Sequence, residues 1–110
     1  MSRYVCIIQE GQAADAKREA LEAGLRRIGE ECFGDDPAAT EIQWRTVRPG
    51  FGFTAGEPST SSLVIRSVPV GLAFDERERF LRRVCELFET VTGCDVDEVV
   101  VTAWDGPLPL

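Results

Sequence analysis

SRYVCIIQEG, residues 2–11, is strand-like almost from its first residue: Tyr4, Cys6 and Ile8 alternate with Val5, Ile7 and Gln9 until Glu10-Gly11 stops the run. A helix is read next, over Asp15 to Phe33, with the stripe Leu21, Leu25, Ile28 and Cys32 on one face and Gly34 as its stop. A second helix is read over Asp75 to Thr92, with Asp75 as N-cap, the stripe Phe80, Val84, Leu87 and Val91, and Gly93 as its stop. Every stripe residue and stop glycine of the first helix lies 59 positions before its counterpart in the second. The same offset lays Val5-Cys6-Ile7 on Val64-Ile65-Arg66, and Ile42 of TEIQWRTV on Val101 of DEVVVTAW. The chain therefore reads strand–helix–strand twice. This is an α+β, βαββαβ pseudo-repeat in one domain, with βαβ halves at about 2–47 and 61–105.

Between the halves, VRPGFGFTAGEPSTSS (Val47 to Ser62) has no period and reads as a linking loop over 48–60, with a short ribbon around Phe51 and Phe53. Its GFGF is no phosphate cradle, because no helix and no Lys or Ser/Thr of the required kind follows. The tail, 106–110 within WDGPLPL, is too short and Pro-rich to pair as a core strand and is expected to touch a neighbouring subunit.

Composition excludes whole classes of function. The 110 residues carry 12 Lys+Arg against 19 Asp+Glu, a net charge of −7 with no basic stripe, which argues against binding nucleic acid through its phosphates. No apolar run approaches the length of a membrane span, and with strand-like sequence from the start no signal peptide is expected. Cys6, Cys32, Cys85 and Cys94 form no C-x-x-C pair and read as reduced thiols of a cytoplasmic protein. There is no histidine, so no mechanism can use an imidazole, and neither a metal nor another cofactor is expected.

The strand opening, the helix start QAADAKREAL, the loop TVRPGF, and the stretch from SLVIRS through FLRRVCELFETVTG to DEVVVTAWD together resemble the tautomerase superfamily. That superfamily includes 4-oxalocrotonate tautomerase, malonate semialdehyde decarboxylase and macrophage migration inhibitory factor. The resemblance implies a four-stranded mixed sheet with two helices on one face, assembly as a homotrimer, and cofactor-independent chemistry on a small carbonyl or enol compound. It also implies a catalytic N-terminal proline, exposed by removal of the initiator methionine. Here that position holds Ser2. A terminal serine would offer a primary amine in place of proline's rigid secondary one, able to act as a general base or to form an imine.

Two carboxylate clamps of the family are missing: Gln12 follows the Glu-Gly corner, and VPVGL, with Val70 and Leu72, stands where the decarboxylases have arginines. Arg45, Arg48 and Arg66 remain as candidate clamps beside Ser2, and Phe51, Phe53, Trp104 and Asp105 as candidate substrate contacts. Arg66, inside the apolar LVIRS, reads either as an anion clamp or as a charge on the strand's solvent or subunit face. Two alternatives to an active tautomerase stay open at this point. One is a catalytically silent binding or structural member of the same fold. The other is a ferredoxin-like, cofactor-free monooxygenase or isomerase.

Overall fold

The computed structural model describes residues 2–108. In chain order it contains β1 (Arg3–Gln9), α1 (Ala13–Ala16), α2 (Arg18–Phe33), a 3-10 turn (Pro37–Ala39), β2 (Glu41–Val47), β3 (Phe53–Thr54), β4 (Glu57–Pro58), β5 (Ser62–Val68), α3 (Phe74–Thr92) and β6 (Val99–Asp105). Four strands form one mixed sheet in the order β2-β1-β5-β6. Each outer strand runs parallel to its inner neighbour, and the inner pair, β1 and β5, is antiparallel. In a split βαβ unit a further strand would intervene between the parallel pair, and none does here. The ferredoxin-like alternative is therefore not the observed topology.

Helices α2 and α3 pack on one face of the sheet. Leu21, Leu25 and Ile28 of α2 and Phe80, Val84 and Phe88 of α3 form one core with Tyr4, Cys6, Ile8 and Val64. Both stop glycines do what the spacing predicts: Gly34 (φ 68°) and Gly93 (φ 72°) are left-handed and return their N–H groups to Glu30 and Glu89. The helix starts differ. The first helix breaks at Lys17, whose N–H is shared between the carbonyls of Ala13 and Ala14. Its Asp15 carboxylate fastens the preceding corner, accepting from Gly11 N–H at 3.1 Å and from Arg18 at 2.9 Å. In the second, Ala73 is the N-cap and makes no side-chain cap bond. Asp75 lies inside the first turn, where its charge still complements the helix dipole.

The repeat also needs one correction. An offset of 59 superimposes the bounds of β1 and β5, yet the antiparallel register sets Tyr4 opposite Arg66 and Cys6 opposite Val64. Side chains alternate along a strand, so the odd offset exchanges the faces. Arg66 thus lies on the helix-covered face, opposite Tyr4, and not on the solvent or subunit face. The other face presents Val5, Ile7, Leu63 and Ile65, with exposed Val100 and Trp104 on β6.

The ribbon in the linking loop is β3 paired with β4, its turn made by Ala55 and Gly56, both at positive φ. The described part of the tail is fastened to its own chain, with Gly106 N–H bonded to the Val68 carbonyl at 2.9 Å and Leu108 buried. Residues 109–110, which share the expectation of a subunit contact, lie outside the described residues, as does Met1. No helix among the described residues is long and apolar enough to cross a membrane.

Candidate functional site

Antiparallel pairing of the two central strands puts the start of β1 beside the end of β5. A cavity of about 500 Å³ opens at that end of the sheet, and its polar lining is Ser2, Arg3, Asp35, Arg66 and Ser67. Its apolar lining is Phe33 from the end of α2, Val68 and Pro69 after β5, and Pro107 and Leu108 from the tail. A concave space of this size, apolar on one side with converging polar groups on the other, has the form of a small-molecule site.

Arg66 dominates the floor of the cavity and is 2% exposed. Its Nη2 lies 2.8 Å from Asp35 Oδ2, its Nη1 donates to the Tyr4 hydroxyl at 3.1 Å, and its Nε donates to the Ser67 carbonyl at 2.7 Å. The guanidinium is also ringed by Phe33 (4.8 Å), Tyr4 (4.9 Å) and Phe80 (5.5 Å). A buried cation is tolerable only with such compensation. The Tyr4 hydroxyl donates onward to the Leu25 carbonyl at 2.9 Å. Burial pushes the Tyr4 phenol up to about 12, against the opposing pull of Arg66. Asp35 Oδ2 accepts no directed hydrogen bond, so it is held by the charge of Arg66 rather than by an aligned N–H. Gly29 makes room for the cluster, because a Cβ there would collide with Asp35 Oδ2 and crowd Arg66 and Tyr4.

At the rim, the Ser2 carbonyl accepts from Glu41 N–H at 3.0 Å, and Ser2 Oγ lies 2.8 Å from Thr40 Oγ1. Thr40 Oγ1 in turn donates to the Asp36 carbonyl at 3.0 Å. Arg26 Nη1 ties this turn down by donating to the carbonyls of Pro37 and Thr40, each at 2.6 Å.

Of the residues singled out in the sequence, Ser2 and Arg66 share this cavity and the others do not line it. Arg45 is exposed on edge strand β2, 3.4 Å from Gln43 Oε1. Arg48 covers the ring of exposed Phe51 at 4.4 Å, and Phe53 is exposed in the β3–β4 ribbon. Trp104 stands on the open sheet face, and Asp105 pairs with Arg77 at 2.6 Å.

Asp35, Thr40, Arg3 and Phe33 were not singled out. One signal for Asp35 was available: an arginine inside an apolar strand needs an acid, and FGDDP places one just past a helix stop. Among the described residues all four cysteines are free, and no group of three or more His, Cys, Asp or Glu side chains could hold a metal ion.

No family model and no curated protein matches the sequence. Solved structures match closely. Native Ps01740 superimposes with a TM-score of 0.87 at 26% identity, covering 96% of this chain and 94% of its own. Pt0534 inactivated by 2-oxo-3-pentynoate gives 0.84 at 19%, covering 96% and 85%. A symmetric trimer of wild-type fused 4-OT gives 0.83 at 19%, again covering 96% and 85%. With its paired βαβ halves, its two helices on one sheet face and these neighbours, the chain has the fold of the tautomerase superfamily.

Proposed function

We propose that this protein is a cofactor-independent enzyme acting on a small carbonyl or enol compound, by isomerisation, hydration or cyclisation, with the Ser2 amine in the place of a catalytic proline. The observation that carries the reading is that Ser2 and the Arg66–Asp35 pair line one cavity of about 500 Å³. With Met1 removed, Ser2 would present a primary amine, and the ordinary value of such an amine, about 7.7–8.0, leaves a fraction of it neutral near pH 7. The neutral amine takes a proton from carbon next to the carbonyl, and its ammonium form returns one at another position. Arg66, already paired with Asp35 and donating to Tyr4 and Ser67, is a fixed polar wall rather than a free carboxylate clamp. That suits a carbonyl or enol better than a diacid.

The remaining candidates enter through assembly. In the proposed homotrimer the open sheet face is covered by neighbouring copies. Arg45, Arg48, Phe51, Phe53, Trp104 and Asp105 then serve cavities other than their own chain's. Fused 4-OT, which shares the fold, forms a symmetric trimer. Free thiols accord with a reducing compartment, and we place the protein in the cytoplasm. The silent-member alternative draws on one observation: Arg66 is already paired with Asp35 and donates to Tyr4 and Ser67 within its own chain.

The test uses the inactivator of Pt0534. Intact mass first establishes that the chain starts at Ser2. The protein is then treated with 2-oxo-3-pentynoate, and the adduct is located by peptide mass. The reading expects an adduct on Ser2 and loss of activity toward a simple enol such as phenylenolpyruvate. A chain starting at Ser2 that takes no adduct there and shows only background activity would overturn it in favour of the silent member.

A further inference from the structure

We propose that Thr40 is a positioning residue for Ser2: its hydroxyl fixes the Ser2 side chain and thereby aims the terminal amine into the cavity. The inference rests on the reading of that amine as the reactive group.

The direction of the hydrogen bonds follows from counting protons. A threonine hydroxyl has one, and Thr40 gives it to the Asp36 carbonyl at 3.0 Å, an oxygen that can only accept. The 2.8 Å contact between Ser2 Oγ and Thr40 Oγ1 therefore runs from serine to threonine. The Ser2 hydroxyl is committed as a donor, and with no histidine in the chain nothing activates it as a nucleophile. Its use is geometric. At the Ser2 Cα, one substituent is held through Oγ by Thr40 and another through the carbonyl by Glu41 N–H at 3.0 Å. With two substituents of a tetrahedral carbon fixed, the direction of the third, the nitrogen, is set. Proline gains this rigidity from its ring, whereas a free serine would rotate.

The anchor is itself rigid. Thr40 is 5% exposed, and Arg26 clamps the turn that carries it at both Pro37 and Thr40. Asp36 closes the same turn by accepting from Ala38 N–H at 3.0 Å.

The experiment is reductive alkylation of the protein starting at Ser2, with propanal and cyanoborohydride. The amine nitrogen adds to the aldehyde carbon, water leaves to give the imine, and hydride from the reagent reduces it to a stable secondary amine. Exposed Lys17, the chain's only lysine, serves as an internal standard. Thr40→Val, which keeps shape and loses the acceptor, is expected to lower the Ser2-to-Lys17 labelling ratio about tenfold, and Thr40→Ser to restore it. The plateau of the pH profile should fall while its midpoint stays. Ser2→Ala should match Thr40→Val, and the double variant should be no worse than either alone. No Ser2 label in the unmodified sequence would overturn the amine reading itself. A Ser2 label untouched by Thr40→Val, or losses that simply add in the double variant, would overturn the role of Thr40 alone.

Discussion

Arg66 and Asp35 form an ion pair of 2.8 Å whose side chains are only 3% and 12% exposed. Removing one partner leaves the other charge buried without compensation, which costs far more than the pair itself is worth. Arg66→Met and Asp35→Asn are each expected to lower stability by about 3 kcal/mol in urea unfolding. The double variant should lose clearly less than the sum. An Arg66 variant that unfolds like the unmodified protein would place this arginine outside the core.

Gly29 sits in the helix where a Cβ would meet Asp35 Oδ2, and would come within 3.1 Å of Arg66 Nη1 and 3.2 Å of the Tyr4 hydroxyl. Alanine is ordinarily the better helix former by about 1 kcal/mol. Here the collision is with the buried ion cluster, so Gly29→Ala should destabilise by about 1–3 kcal/mol. A rise in thermal midpoint would mean that the cluster can shift.

Tyr4 is the only tyrosine, so tyrosinate absorbance reports on it alone. Its phenol ordinarily loses its proton near 10.0, and in the folded protein at about 12, chiefly because burial penalises the anion. The fold thus retains the proton that the unfolded chain gives up first. Stability from this group is intact below the ordinary value and falls as pH rises through the interval up to about 12. A spectrophotometric titration should show almost no tyrosinate at pH 10 in native protein and about half ionisation there in denaturant.

The stop glycines test the repeat. Gly34 and Gly93 stand at φ 68° and 72°, and nothing lies within 4 Å of where either Cβ would be. The cost of alanine is then the left-handed conformation alone, about 1–2 kcal/mol. Gly34→Ala and Gly93→Ala should therefore lose similar amounts in chemical denaturation.

The open sheet face carries Ile65 at its centre and exposed Val100 on β6. Under the trimer reading, sedimentation at micromolar concentration should give three chains, and Ile65→Glu should shift the protein towards monomer. A monomer in the unmodified protein would remove assembly from the proposed mechanism.

What could be read without the structure is what local chemistry dictates. Leu21-Leu25-Ile28 and Phe80-Val84 recur at helical spacing, and Gly34 and Gly93 end their helices by a conformation that glycine adopts most easily. Two βαβ halves follow from that pattern alone. The pairing of β1 with β5 does not, because a register is a relation between distant strands and a slip of one residue changes no local preference. That register puts Arg66 on the helix-covered face, where it meets Asp35, the hydroxyl and ring of Tyr4, and the rings of Phe33 and Phe80. The cavity beside Ser2 was equally hidden. Its walls come from the start of β1, the end of α2, the end of β5 and the tail, segments far apart in sequence. Only the tertiary structure could bring them together, because the free energy that holds them there is the burial of a shared core and not the preference of any one segment.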